Sequence, residues 1–349
     1  MNMKFLSRIN YYWGVFRVRF IISRIDKQKI PKGINEIRLF VTARNEALRL
    51  PFFLKYYFEM GVDRIFLIDN ASTDNTVEIA LSKPNVHVFK IDESFKNQWN
   101  WVEFFLRKYG RKRWCMVVDV DELFSYPYAE VVPLKILIDY MEMSKHNAIR
   151  SFLLDIYSNN PVRETGYVAG ENPITCCSYF DKDFSVTKVP SFDKKRWKNF
   201  EAEIYFGGMR ERVFSSVMDR PWIFYLSKIS LFKNVGKIYL TGGMHTVNSA
   251  RITDIRGVVF HTKYMQDFIM KAQIEAGRSE HWAVNALDYK IYDKACESDV
   301  NISFHHEKSI KYKNTRQLLK IGMMKTSFAY NNYISTYRFD FNKLFDTKE

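Results

Sequence analysis

The 349-residue chain is expected to be an α/β protein, with a mostly parallel central sheet flanked by helices, an irregular α+β second half and a helical C-terminal region. Three observations predict this. From Glu36 onward, short β-rich runs alternate with helical stretches, the pattern of a layered α/β domain. Apolar residues make up 47% of the chain and charged residues 26%, enough to bury a core and to exclude disorder throughout. Polar clusters follow three of the early apolar runs, where open α/β sheets bind their ligands.

The elements follow in order. Ile37 to Thr42 reads as a strand. Asn45 is placed to cap a helix in which Leu48, Phe52, Tyr56 and Met60 fall near helical spacing, and Gly61 ends it. Arg64 to Ile68 is the second strand. Asp69 to Asn75 is a polar loop whose Ser72, Thr73 or Asp74 caps a helix running to Leu81, and Pro84-Asn85 breaks the chain before strand Val86 to Lys90. Trp99 to Tyr109 is amphipathic and Gly110 closes it. Trp114 to Val118 is a continuous apolar strand that delivers Asp119-Val120-Asp121-Glu122 at its carboxyl end. One more helix follows Pro133, then a strand over Ala148 to Ile156, after which the periodicity weakens. Neither an internal repeat nor a flexible linker is evident, so both halves are expected to share one body.

Lys and Arg total 53 against 39 Asp and Glu, a formal charge of +14 that favours anionic partners without choosing among them. Residues 1–38 hold nine of the bases and two of the acids, so half of the net charge lies in this first tenth of the chain. There Phe5, Tyr11, Tyr12, Trp13, Phe16 and Phe20 interleave with Lys4, Arg8, Arg17 and Arg19. A helix lying on an anionic membrane surface shows this pattern, and so does one that docks its aromatics on the domain, although Gly14 weakens either helix. The longest stretch without a formal charge there, Ile9 to Phe16, is far below the ~20 apolar residues that cross a bilayer. No cleavable signal is evident. Four cysteines, with Cys176 and Cys177 adjacent, fit a reducing compartment better than a disulfide scaffold.

The polar clusters Thr42 to Glu46, Asp69 to Ser72 and Asp119 to Glu122 should converge on one crevice. Two carboxylates at i and i+2 in an extended turn present oxygens to the same hard cation, and Mg2+ or Mn2+ is held by one or two carboxylates with diphosphate oxygens completing the shell. The tripeptide alone is weak, since it recurs at Asp181-Lys182-Asp183 in an ordinary polar stretch. Its position after an apolar strand raises Asp119 and Asp121 above that recurrence. The competing reading is an acidic surface turn in which Glu122 caps a helix.

The segments VTARNEALRLPFFLKYYFEMGVDRIFLIDNASTDNT (41–76) and WCMVVDVDELF (114–124) resemble the GT-A glycosyltransferases of the family 2 type, in particular a bacterial group with an Asp-Val-Asp-Glu motif. GGMRERVF (207–214), GGMH (242–245) and VVFHTKYMQDFIMKAQIEAGRSEHW (258–282) extend the resemblance more loosely. It implies a GT-A nucleotide-diphospho-sugar transferase fold with a basic aromatic segment at 1–35, a nucleotide-sugar half at 36–150, an acceptor half at 151–290 and an extension at 291–349. Thr42, Arg44 and Glu46 would border the nucleotide, Asp69 would contact base or ribose, Asp119 would lie near ribose and metal, and Asp121 would ligate the metal. The implied cofactors are Mn2+ or Mg2+ and a UDP- or GDP-sugar. The implied acceptor is a glycan or lipid-linked saccharide, in a cytoplasmic enzyme peripheral to the inner membrane face.

Such chemistry wants cations on the leaving diphosphate, and of the bases between Lys188 and Lys233, Arg210 and Arg212 rank first beside Gly207-Gly208. Inverting displacement wants a carboxylate base. Glu211, Asp254, Glu275 and Glu280 are candidates, Glu211 slightly ahead. His245 or His261 could join the metal shell. Tyr264, Phe268 and Tyr289 could line a sugar site, with core packing the default. A metal-dependent nucleotidyltransferase would instead want a glycine-rich loop where Thr42 to Glu46 has none. A nucleic-acid-binding protein would spread its bases over one face, whereas here they concentrate at the N-terminus, so no nucleic acid is expected as a partner.

Overall fold

A computed structural model describes residues 3–188, 203–217, 224–241, 244–281, 285–299 and 301–344. Its central sheet has nine strands: Ile22–Arg24 (β1), Ile37–Ala43 (β2), Arg64–Asp69 (β3), Val86–Ile91 (β4), Trp114–Val117 (β5), Glu122–Ser125 (β6), Ala148–Asp155 (β7), Ser227–Lys233 (β11) and Ile252–His261 (β14). Shorter strands pair in twos, Tyr179–Phe180 (β8) with Ile310–Lys311 (β15), Phe184–Lys188 (β9) with Glu203–Gly207 (β10), and Leu240–Thr241 (β12) with Thr246–Val247 (β13). The sheet order is β1-β4-β3-β2-β5-β11-β7-β14-β6. Strands β4, β3, β2 and β5 are parallel neighbours, as are β7 and β14, and β1, β11 and β6 run against them. Six of nine strands therefore point one way, and the sheet is mostly parallel as expected.

Parallel neighbours require crossovers, and helices Leu50–Met60 (α2), Thr76–Leu81 (α3) and Gln98–Phe105 (α4) supply them. Phe53, Leu54 and Tyr57 of α2 join one core on the face that holds Leu39 and Val41, whereas Trp101 and Phe105 of α4 join a second core with Phe40 and Phe66. Cover on both faces explains why β2 is buried at every position.

Local chemistry departs from expectation at several points. Asn45 does not cap α2; it takes φ +52° in the preceding turn, and its side-chain oxygen accepts the Thr73 amide at 2.7 Å. The helix starts at Leu50, with Pro51 in its first turn, and ends at Gly61 as expected. The amphipathic stretch after Trp99 is α only to Phe105 and widens into a π turn over Leu106–Gly110. Gly110 cannot carry a side chain there, since a Cβ would stand 2.8 Å from Cys115 Sγ.

The sheet also begins earlier than expected. Helix Met3–Ile21 (α1) packs on α4 and leads into β1, which pairs antiparallel with β4. In the middle of the sheet β11 is inserted between β5 and β7, so residues 227–233 lie in the same layer as residues 37–117, and a division at residue 150 falls within β7. Helices Leu134–Met143 (α5), Pro173–Cys176 (α6), Gly208–Phe214 (α7), Phe268–Arg278 (α8), Leu287–Ser298 (α9), Thr315–Lys320 (α10) and Phe328–Ser335 (α11) complete the described chain.

Asp26 fastens β1 to the domain. Its carboxylate accepts from Arg24 Nη2 at 2.7 Å, the Gln28 amide at 3.0 Å and the Val88 amide at 3.1 Å, and lies 3.1 Å from His87 Nδ1. Burial alone would raise this carboxyl, but Arg24, His87 and the Gln28 amide outweigh it and hold it at about 2. The folded value lies below the unfolded one near 3.8, so the stabilisation is present above that pH and is lost as the pH falls toward about 2. Asp26→Asn should remove about 1–3 kcal/mol at neutral pH. Hydrogen exchange at Ile22–Arg24 checks both statements: wild-type protection should fall between pH ~4 and ~2, and the variant should lack it at neutral pH.

Candidate active site

The carboxyl ends of β2, β5, β7 and β14 surround one cavity of about 840 Å³, closed on its far side by α8 and α9. Its wall carries Thr42, Arg44, Glu46, Asp119, Asp121 and Arg210, which the sequence placed there separately. The Asp119–Asp121 turn is tight. The Glu122 amide donates to Asp119 O at 3.0 Å, and the Glu122 carboxylate accepts the Asp119 amide at 2.8 Å. Glu122 thus opens β6 and seals the turn; it caps no helix. Lys228 of β11, buried beneath, donates to Glu122 Oε2 and lies 3.5 Å from Asp119 Oδ2. Burial works to lower the Lys228 ammonium, but Glu122 and Asp119 prevail and raise it.

Strand register builds the next group. His261 at the end of β14 is paired with Asp155 of β7 on one side and Glu122 of β6 on the other. Its Nδ1 donates to Asp155 Oδ1 at 2.7 Å and its Nε2 lies 3.4 Å from Asp121 Oδ2, while Arg210 Nε donates to Asp155 Oδ2 at 2.7 Å. The Asp121 backbone oxygen accepts the Thr262 amide at 2.7 Å, which fixes the turn against β14. Burial opposes the charge on Asp121, but His261, then Lys263 and Arg49, outweigh it and keep its carboxyl far below the usual range. His261 is raised, because Asp121 and Asp155 outweigh its burial. The row Asp121, His261, Asp155, Arg210 therefore alternates in sign, and Arg210 Nη2 remains buried with no hydrogen-bond partner among the described residues.

A second charged group closes the opposite wall. Buried Arg49 donates to both oxygens of Asp267 at 2.6 Å, and Lys271 Nζ donates to Glu46 Oε1 at 2.8 Å. Glu46 Oε2 is buried without a hydrogen-bond partner among the described residues, and burial raises the carboxyl in spite of Lys271 and Arg49. Lys263 lies over Tyr289 with its ammonium 4.8 Å from the ring centroid.

Several candidates are placed differently from expectation. Asp69 is fully buried beneath the loop that follows it, where Oδ2 accepts the Ser72 amide at 3.3 Å, and it does not reach the cavity wall. Glu211 is exposed: α7 turns ~100° per residue, so with Arg210 facing inward the next two side chains point away. Arg212 accordingly binds Asp181 at 2.7 Å, outside the cavity. Asp254 is held by Tyr140 at 2.9 Å, also outside it. Glu275 and Glu280 are taken up by Arg278 at 2.7 and 2.6 Å. Tyr289 reaches the wall, whereas Tyr264 and Phe268 are core residues. Gly242, Gly243, Lys194, Lys195, Arg196, Lys198, Arg220 and Trp282 lie outside the described residues.

His245 and His261 separate in character. Both nitrogens of His261 face carboxylates. His245 is held well below its usual value by burial and by Lys228, and its Nδ1 donates to Ser227 O at 3.1 Å, leaving Nε2 as the lone-pair nitrogen on the wall. Among the described residues no three His, Cys, Asp or Glu side chains form a closed metal cage. The donors do fit a cation that shares its shell with a ligand: Asp121 is held ionised, and Asp119, its side chain 43% exposed, opens to the cavity.

Three features of the site were missed. Asp155 terminates β7 as Asp119 follows β5, and the same strand-end rule would have flagged it. Lys228 is a charge near the start of a strand that goes on through Ile229, Leu231 and Phe232, a sign of a buried ion pair. Arg49 and Asp267 give no local signal, being 218 residues apart.

Residues 39–134 match the model of glycosyl transferase family 2. The matched range holds β2 to β5, the Asp119–Asp121 turn and β6, and the match supports a glycosyltransferase of GT-A fold. No curated protein matches the chain. Solved structures similar to parts of it include a mannosyltransferase from Pyrobaculum calidifontis in complex with GDP-Man and Mn2+, at 18% identity over 46% of this chain and 45% of that one, with a TM-score of 0.26. A 4-diphosphocytidyl-2C-methyl-D-erythritol synthase is similar at 14% identity over 40% and 68%, TM-score 0.25, and a UDP-glucose pyrophosphorylase from Acinetobacter baumanii at 13% over 38% and 60%, TM-score 0.24. This chain thus spans less than half of the mannosyltransferase. Likeness at these scores says nothing of activity.

Lys228→Met should leave Glu122 buried without its cation and lower stability by about 3–5 kcal/mol, whereas adding Glu122→Leu should restore much of the loss. Thermal unfolding of the single and double variants measures the difference.

Proposed function

We propose that the protein is a metal-dependent glycosyltransferase that moves a sugar from a UDP- or GDP-sugar to a hydroxyl of a glycan or lipid-linked saccharide, with inversion at the anomeric carbon. One observation carries this reading: the Asp119–Asp121 turn opens into a cavity whose wall also holds Arg210, its Nη2 without a hydrogen-bond partner among the described residues. Carboxylates for a cation and a guanidinium for an anion, sharing one cleft, suit a metal-bound diphosphate.

Asp119 and Asp121 would hold Mn2+ or Mg2+ together with ligand oxygens, and the ion would supply charge stabilisation to a departing diphosphate. Arg210 and Lys263 bind phosphate oxygens directly. Thr42, Arg44 and Gln98 supply polar groups at the far end of the cavity, where Phe95 and His281 rings 4.9 Å apart give a stacking surface for a base. On the α8 rim Met270 and Ile274 are exposed, and with Tyr289 they offer apolar surface to the face of a sugar or a lipid.

In the displacement the acceptor oxygen bonds to the anomeric carbon, the bond from that carbon to the diphosphate breaks, and the hydroxyl proton passes to a carboxylate. Of the wall carboxylates, Glu46 and Asp288 each keep a buried oxygen without a hydrogen-bond partner among the described residues, that of Glu46 lying 3.5 Å from Arg49 Nη1. We assign the proton to Glu46, whose carboxyl is raised by burial, as suits a proton acceptor.

Asp121→Asn should weaken Mn2+-dependent binding of UDP or GDP at least ~10-fold by calorimetry, with an unchanged circular dichroism spectrum. Its unfolding temperature should fall modestly, because the side chain is largely enclosed and paired with His261 rather than solvated. Unchanged affinity would remove the metal assignment. Glu46→Gln should cut turnover by ~10²–10⁴ while leaving nucleotide affinity intact. In the wild type, activity should fall on the acid side at a higher pH than an ordinary Glu would give, as protonation silences the base. Should Asp288→Asn abolish turnover and Glu46→Gln not, the base is Asp288.

A further inference from the structure

A helix packed on a domain needs one apolar stripe; α1 has two. The inner stripe is Tyr11, Gly14, Val15 and Val18, with both valines buried. Gly14 lets the helix approach α4 closely, since a Cβ there would stand 2.8 Å from Asn100 Nδ2. The outer stripe is Tyr12, Trp13, Phe16 and Phe20, which are 51%, 61%, 45% and 69% exposed. Its rings are contiguous, with centroids 5.9 Å apart for Trp13 and Phe16 and 5.5 Å for Phe16 and Phe20. Nothing within the fold requires aromatic surface of this size to face water.

The charge around the outer stripe has one sign. The Arg19 guanidinium lies 5.2 Å from the Phe16 ring and 5.1 Å from that of Phe20, and Arg107 lies 5.2 Å from the Tyr12 ring. An open groove of about 590 Å³ between α1 and α4 is lined by Tyr12, Val15, Phe16, Phe104 and the three cations Arg19, Arg107 and Lys108. Glu103, which pairs with Arg107 at 3.6 Å, is buried beneath it.

We propose that the outer face of α1 lies on an anionic lipid bilayer, with Trp13, Phe16 and Phe20 in the headgroup region and Arg19, Arg107 and Lys108 on the lipid phosphates. No described helix is long and apolar enough to cross a membrane, and α1, 19 residues and roughly 28 Å long, suits the interfacial plane. Long basic side chains stacked on aromatic rings are arranged to bury their stems while the charges stay with the headgroups. The binding does not rest on the glycosyltransferase reading, but its consequence does: α1 packs on α4, and Gln98 at the start of α4 lines the cavity. The donor cleft thus stands one helix away from the bilayer, where a lipid-linked acceptor would present its hydroxyl.

Co-sedimentation of the full chain with vesicles, without nucleotide or metal, tests the binding separately from catalysis. Vesicles with about 30% phosphatidylglycerol in phosphatidylcholine should retain at least ~10-fold more protein than phosphatidylcholine alone, and the excess should shrink between ~0.1 and ~0.5 M salt. The variant Trp13→Ser/Phe16→Ser/Phe20→Ser should lose ~10-fold or more of the binding with unchanged thermal unfolding, because these side chains face outward. Arg19→Glu/Lys108→Glu should abolish the preference for the anionic lipid. Equal sedimentation of wild type and triple variant would overturn the proposal, as would equal binding to neutral vesicles. So would failure to bind vesicles by a protein whose outer stripe instead drives self-association or oligonucleotide binding.

Discussion

Asp121, His261, Asp155 and Arg210 form a buried row of alternating charge, and the geometry of the cleft depends on it. A single one of these groups, taken out of water alone, would cost several kcal/mol or give up its charge. Together each faces a partner of opposite sign, so Asp121 stays ionised although most of its surface is enclosed. The row is also a ruler. It spans the ends of β7 and β14 and the turn before β6, and a slip of one residue in either pairing would turn His261 to the other face of the sheet.

Lys228 performs the same service one layer down, joining β11 to the turn through Glu122 and Asp119. On the opposite wall Arg49 and Lys271 tie the segment after β2 to α8 through Asp267 and Glu46. The cavity is therefore closed by ion pairs rather than by apolar packing. Ligand charge can enter such a site at the few atoms left without a hydrogen-bond partner among the described residues, Arg210 Nη2 among them. Preorganised charge of this kind suits a reaction in which negative charge develops on a leaving group.

The parts of this picture legible in the sequence are those written locally. Apolar runs marked β2, β3, β4 and β5 within about a residue, Gly61 marked the end of α2, and strand-end logic placed Thr42, Glu46, Asp119 and Asp121 on one cleft. What failed was decided by distant chain. Asn45 looked like a helix cap because its partner Thr73 arrives from another loop, and Asp69 looked accessible because nothing local says that the loop folds over it. Glu211 was favoured for its neighbours, yet the turn of one short helix sends it outward. Asp155, Lys228 and Asp267 gain their roles from partners 55 to 218 residues away, which no periodicity records.

The position of β11 has a consequence for how the chain is made. Strands β2 to β5 are complete by residue 117, but the strand that shields the flank of β5 arrives only at residue 227. During synthesis the nascent N-terminal half must carry a bare β-edge for more than a hundred residues of elongation, a template for pairing with other chains. A shortened protein ending before residue 227 would keep that hazard permanently, so insolubility of such a fragment would reflect a missing neighbour rather than a poor core.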